Sequence, residues 1–187
     1  MSEVSEVYVF LADGFEEIEA LAPVDLMRRA GLKVITVSVS DSRLVTGAHG
    51  IGVNADALIS DTDLSGAAML VCPGGMPGAS NLAACPRLTD ALSAQFKAGG
   101  YVAAICAAPA VTLAPLGILN SRQATCYPGF EGQLTAGGAI HYDGRVAVDG
   151  NVITSNGPSS AIPFALALIT ALRGPESAQQ VADGILL

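Results

Sequence analysis

The stretch Tyr101-Val-Ala-Ala-Ile-Cys-Ala-Ala-Pro109 decides the fold. Tyr101 to Ile105 is an apolar run of strand length, Cys106 closes it, and a helix is expected from about Ala107 toward Leu116. Pro109 suits a first helical turn, where no backbone N–H is needed. A cysteine at that junction stands at the carboxyl end of a strand and in front of free backbone N–H groups. Open α/β sheets keep their chemistry in such places, and a thiolate is stabilised there. The small residues Ala103, Ala104, Ala107 and Ala108 permit the sharp turn of a nucleophile elbow, with sulfur in place of a serine hydroxyl. The same letters also describe an inert core cysteine, because free Cys is among the most buried residue types. A nucleophile at Cys106 carries the expectation of a depressed thiol pKa.

Outward from this junction, strand and helix patterns alternate. Val7 to Ala12 reads as a buried first strand, and Glu16, Glu17 and Glu19 open a helix through Ala30 that Gly31 ends. Leu32 to Val39 completes a βαβ start, and Ser40 to Asp61 is loop-like with room for a small hairpin ending at Val53 to Leu58. Ala68 to Cys72 is a further strand, followed by helical segments from Asn81 to Ala84 and from Arg87 to Ala98, split at Cys85-Pro86. Beyond the Cys106 helix, Gln123 to Cys126 is β-like and Phe130 to Leu134 is one helical turn. His141 to Asp149 and Asn151 to Ser155 form a hairpin across Gly150. Ser159 or Ser160 caps an apolar helix from Ala161 to Leu172, and Pro175 starts a last helix through Val181 or Ala182. No linker divides the series, so residues 1–187 are expected to form a single α/β domain, mainly parallel at its centre, with an attached β-hairpin.

Composition narrows the function. Hydrophobic residues make up 51% and charged residues 14% of the chain, so part of its sparsely charged surface is expected to lie in an oligomer interface. Nine Lys and Arg against 17 Asp and Glu give a net charge of -8, a poor balance for binding nucleic acid or anionic membrane. The amino terminus, Met1-Ser-Glu-Val-Ser-Glu6, has no basic region before its first apolar run and does not read as a secretory signal. The uncharged stretch from Ala98 to Ser121 is divided by Gly99, Gly100, Pro109, Pro115 and Gly117, which excludes a membrane span. Cys72, Cys85, Cys106 and Cys126 contain no CxxC pair and suggest neither a zinc ribbon nor a disulfide scaffold, which makes a reducing cytoplasm the expected location.

Three further stretches bear on chemistry. Glu16 and Glu17 read as surface acids of a first helical turn, whereas Glu19 lies among Ile18, Leu21 and Ala22. It is either a solvated or capping acid or a partly buried one with a raised pKa, able to exchange a proton near neutrality. Pro23 cannot donate to the Glu19 carbonyl, which predicts a break in the helix ladder there. Pro73-Gly-Gly-Met-Pro-Gly78 follows a strand and is either an ordinary turn or an oxyanion-binding one; it lacks the Lys-Ser/Thr of a P-loop and the spacing of a dinucleotide site. His49, among glycines, is either a surface residue or part of a pocket mouth.

Taken in order, Gly14-Phe-Glu-Glu-Ile-Glu19, Pro73-Gly-Gly75, Ala103-Ala-Ile-Cys-Ala-Ala-Pro109, Thr154-Ser-Asn-Gly-Pro158 and the Phe164-Ala-Leu-Ala-Leu helix resemble the ThiJ/PfpI family over nearly the entire chain. The resemblance is to its deglycase and glyoxalase III-like branch. It implies a flavodoxin-like three-layer sandwich, a close homodimer and no metal or organic cofactor. It further implies a reactive, oxidation-sensitive thiolate at Cys106, with Glu19 as its protonated partner and proton shuttle. Gly75 and Ala107 would supply backbone donors to a substrate oxyanion, and Gly74, Tyr127, His49, Asn156, Gly157 and Pro158 would line the pocket or cleft. The implied substrates are small 2-oxoaldehydes or early glycation adducts. A redox-responsive protective or chaperone-like protein is the alternative. The sequence departs from the family pattern at Tyr127, where many members have histidine, and at His49 and Asn156, where close relatives often have arginine. These departures bear on substrate scope rather than on the nucleophile.

Overall fold

The computed structural model describes residues 6–187; the reading of the extreme amino terminus falls on residues 1–5, outside them. The parallel centre is built from β1 (Val7–Leu11), β2 (Val34–Ser38), β5 (Ala57–Leu58), β6 (Met69–Cys72), β7 (Tyr101–Ile105) and β11 (Val152–Ser155). Strand β10 (Val146–Asp149) adds an antiparallel edge, giving the order β10-β11-β7-β6-β1-β2-β5. Val7, Val9, Phe10, Met69, Leu70, Val71 and Val102 are buried, the continuous apolar pattern of strands covered on both faces.

Helices supply that cover. On one side α1 (Glu17–Arg29), α5 (Ala161–Arg173) and α6 (Pro175–Gly184) pack together; on the other lie α2 (Gly78–Ala83), α3 (Pro86–Lys97) and the helical segment Pro109–Leu113. Phe164, Ala165, Leu168 and Ile169 form the buried stripe of α5, spaced as one helical face. This is the expected flavodoxin-like sandwich with its attached hairpin. A small hairpin of β3 (Leu44–Thr46) and β4 (Gly52–Asn54), a helix α4 (Glu131–Ala136) and a parallel pair of β8 (Gln123–Ala124) and β9 (Ile140–His141) complete the chain.

Local expectations differ from the structure in three places. His141 is not part of the β10–β11 hairpin, because the bend at Asp143-Gly144 separates it from Val146 and it pairs with Ala124 instead. Ser160 stands at the head of α5 without capping it: its hydroxyl is turned back to within 2.8 Å of Asn156 Oδ1 and 2.6 Å of Ser155 Oγ. The segment after Cys106 is wound with π-type hydrogen bonding over Pro109–Leu113 and tightens to a 3-10 turn at Ala114–Leu116. Helix α1 spans Pro23, whose missing N–H leaves the Glu19 carbonyl without its helical donor. No helix among the described residues is long and apolar enough to cross a membrane.

Candidate active site

The parallel strands deliver four connections to one edge of the sheet: the turn after β1, the Gly74-Gly75 turn after β6, Cys106 after β7, and Asn156 to Pro158 after β11. Ligands of open α/β sheets bind at this carboxyl edge. Cys106 occupies the left-handed region at φ 66°, which a side chain with a Cβ adopts only when its surroundings impose it. Here both main-chain groups are clamped. Its N–H donates to Ser155 O at 2.9 Å and its carbonyl accepts from Tyr127 N–H at 2.8 Å. The side chain is 8% exposed, so the thiol is neither a sealed core group nor a surface one.

Glu19 reaches Cys106 from the first turn of α1. It is wholly buried; Oε2 accepts from Gly74 N–H at 3.1 Å, and Oε1 is a buried oxygen without a hydrogen-bond partner. A Cβ on Gly74 would lie 2.5 Å from both Cys106 Cβ and Glu19 Oε2, so the missing side chain is the space in which thiol and carboxyl meet. Burial, joined by the nearby Glu16 charge, pushes the Glu19 carboxyl up to about 7, against the opposing hydrogen bonds from Cys106 and Gly74. Partial burial and a raised pKa were one of the two sequence readings of Glu19, and the structure selects it.

Cys106 departs from expectation. Burial first, then the Glu19 charge, raises its thiol to about 12, although hydrogen bonds from the Gly75 and Ala107 N–H groups act the other way. Strand-end and helix-end logic counts the donors and omits an acid packed against the sulfur. Two such groups titrate as a pair: the first proton leaves near neutrality, and the one that remains is held between sulfur and carboxylate. The arrangement thus holds a thiol whose proton has a base waiting for it.

The remaining expected residues divide. Gly74, Gly75 and Ala107 surround the pair, and Tyr127 is joined to Cys106 through the backbone while its half-exposed ring lies 3.2 Å from where a Cβ on Gly157 would be. Pro158 begins a 3-10 turn beside them. Asn156 turns its carbonyl oxygen toward the Ser160 hydroxyl, and His49 lies on an exposed loop with Nδ1 2.7 Å from Glu17 Oε2. That carboxylate also accepts the His49 N–H at 2.8 Å and lifts the imidazole above its ordinary pKa.

Glu16 and Glu17, expected at the surface, are 8% and 5% exposed. The hairpin loop carrying His49 folds over Glu17, and Glu16 bends back to cap α1 by accepting Glu19 N–H at 2.8 Å. One ligand atom each of Glu16, Glu17 and His49 falls within 4.8 Å of the others, but the helix cap and the Glu17–His49 pair account for the grouping without an ion. Thr154 and Ser155, part of the quoted Thr154-Ser-Asn-Gly-Pro158 stretch but given no role there, are buried polar residues of β11. Thr154 Oγ1 accepts Thr125 N–H at 3.0 Å and Ser155 O holds Cys106 N–H, fixing the floor of the site. Their signal was a polar pair ending an apolar strand. A separate cleft of about 430 Å³ beside the loop entering β6, lined by Arg87, Gln95 and Leu64, contains none of these groups.

Comparison with known proteins places these features in a wider set. The family model described as the DJ-1/PfpI family matches residues 5–171. Protein DJ-1 homolog A of Arabidopsis thaliana is 39% identical over 181 residues, covering 97% of this chain and 46% of that protein, so the chain spans under half of that relative's length. Glutathione-independent glyoxalase DJR-1.2 of Caenorhabditis elegans is 37% identical over 92% of this chain and 90% of its own length. Among solved structures, oxidized Toxoplasma gondii DJ-1 superposes with a TM-score of 0.93 at 41% identity, covering 97% of this chain and 98% of that one.

Proposed function

The chain belongs to the DJ-1/PfpI family, and from that membership and the Cys106–Glu19 pair we propose that it is a cofactor-independent glyoxalase converting methylglyoxal to lactate and glyoxal to glycolate. The observation carrying the reading is a cysteine in a clamped, strained turn facing a buried carboxyl whose pKa is raised to about 7. Cys106 sulfur attacks the aldehyde carbon as its proton passes to Glu19, and the hemithioacetal oxygen is stabilised by the N–H groups of Gly75 and Ala107. Glu19 returns that proton to the hemithioacetal oxygen and, again a carboxylate, takes the proton of the former aldehyde carbon and delivers it to the neighbouring carbon through an enediol, the hydroxyl proton passing to the adjacent oxygen. A thioester results, and water cleaves it to the hydroxy acid and free thiol. One water is consumed, with no net oxidation, and the route calls on neither glutathione nor a metal.

Removal of early glycation adducts would use the same thiol. Residues 1–187 act in this reading as one catalytic unit that pairs with a second copy. The first helix, including Arg28 or Arg29, is the part of the chain expected at that interface; Arg28 is engaged by Asp56 and Arg29 by Asp25, which leaves Ile18, 55% exposed on the same helix, as its apolar candidate for contact with that copy. The deciding measurement is enzymatically identified lactate from purified protein and methylglyoxal, under chelation and without thiol cofactor. No lactate across a range of 2-oxoaldehydes rejects the reading. It would favour instead a redox-responsive protective role, which the oxidized form of the Toxoplasma relative brings into consideration.

A further inference from the structure

Three hydrogen bonds close a ring at the head of α1. Glu16 N–H donates to Gly74 O at 2.9 Å, Gly74 N–H donates to Glu19 Oε2 at 3.1 Å, and Glu19 N–H donates to Glu16 Oε2 at 2.8 Å. Glu16 enters this ring twice, with its backbone as donor and its side chain as acceptor. It therefore fixes the main chain of Glu19 and, through Gly74, the direction of the Glu19 carboxylate. A surface acid at a helix start would do only the first of these and would be screened by water. Glu16 is 8% exposed, and its charge acts on Glu19 largely through protein.

We propose that Glu16 is a positioning residue for Glu19, aiming its carboxylate at Cys106 and, by its own negative charge, keeping the shared proton on the Glu19–Cys106 pair. The proposal deepens the glyoxalase reading and rests on it for its biological meaning. Every charged or titratable neighbour has a place in the account. Cys106 faces Glu19 from the turn after β7, and Glu17 and His49 stand on the other side of Glu16. Protonated His49 is taken up first by Glu17, at 2.7 Å, so the cation on the hairpin loop does not cancel the Glu16 charge. The Glu16 charge is among the causes that raise the Glu19 pKa, second to burial among those acting in that direction.

The test follows the rate of Cys106 alkylation by iodoacetamide against pH, with the adduct located by peptide mass spectrometry. In the parent protein the rate rises through a step near pH 7, where Glu19 becomes able to take the thiol proton. Glu16→Gln keeps an oxygen for the cap and loses the charge, so its step moves to lower pH by about one unit. Glu16→Ser, a neutral cap, gives the same displacement and serves if the glutamine variant fails to fold by circular dichroism. Glu16→Asp restores the charge and returns the step to within about 0.3 units of the parent. A merely structural role for Glu16 would lower rates without moving the step. An unmoved step in the neutral variants, or an Asp variant that follows them, overturns the proposal. Alkylation requires no aldehyde, so failure of lactate production in the parent rejects the glyoxalase reading while leaving this coupling independently tested.

Discussion

The Gly74 N–H points at Glu19 Oε2 from 3.1 Å, and the missing Gly74 side chain is what lets Glu19 approach Cys106. An added Cβ would meet Cys106 Cβ and Glu19 Oε2 at 2.5 Å and Ile105 O at 2.9 Å, all on elements without room to retreat. Gly74→Ala is accordingly expected to cost about 1–3 kcal/mol in stability by overpacking and to lower methylglyoxal turnover by about 100-fold through separation of the pair. Urea unfolding and lactate assays on the same preparation check both. Unchanged turnover would mean that the thiol and carboxyl need not meet.

Substitutions in the pair itself separate nucleophile from base. Cys106→Ser should retain the fold and produce no lactate, since an unactivated hydroxyl is a far poorer nucleophile. Glu19→Gln should lose at least about 100-fold in turnover, because the amide keeps the size of the carboxyl and cannot carry the proton. Its alkylation profile should also lack the step near pH 7 and rise only above the ordinary thiol range of about 8.5, because burial still holds the thiol up. Tyr127→Phe should lose less than about tenfold if the ring only lines the pocket. A loss matching Glu19→Gln would make its hydroxyl part of the proton path, and lactate unchanged in Cys106→Ser would reject the mechanism outright.

What could be read in advance followed from local rules. Tyr101 to Ile105 and its turn at Cys106 were legible because an apolar run meeting alanines and Pro109 leaves few alternatives. Glu19 was legible as a candidate because apolar neighbours flanked it. Glu16 and Glu17 were not, because their burial depends on a distant hairpin loop folding over the helix head, where Glu17 meets His49, 32 residues further along the chain. The Cys106 pKa was misjudged for a related reason: its donors are local and its acid is not. Ser160 reads as a helix cap by position, yet its hydroxyl is drawn back by Asn156 and Ser155, a competition set by the end of β11 that no sequence pattern displays.

Assembly gives another test. Ile18 is 55% exposed in the first turn of α1, next to the buried Glu17 and Glu19. If that apolar surface faces a second copy, light scattering at micromolar protein gives twice the chain mass for the parent, and Ile18→Asp shifts it toward one chain mass by placing a charge in an apolar contact. A monomeric parent ends the proposal of a dimer. A dimeric Ile18→Asp variant moves the interface away from the helix head.

Glu19 also links stability to pH, with a definite sign. Its carboxyl titrates near the ordinary value of 4.5 when the chain is unfolded and near 7 when folded, so the folded state holds an extra proton between those values. The resulting stabilisation is fully present below about pH 4.5, is lost as pH rises through 7, and amounts to about 3 kcal/mol between the two limits. Glu19→Gln is neutral throughout and lacks this term. Relative to the parent it should therefore gain stability steadily from pH 5 to pH 8, appearing as a melting temperature several degrees higher at the alkaline end. The same substitution abolishes turnover, so a more stable and inactive variant would show that the fold tolerates a buried charge at Glu19 for the sake of its chemistry. Melting temperatures of the two proteins that differ by a constant amount across this range would show that Glu19 has no raised pKa, and would remove the physical basis for its role as the base.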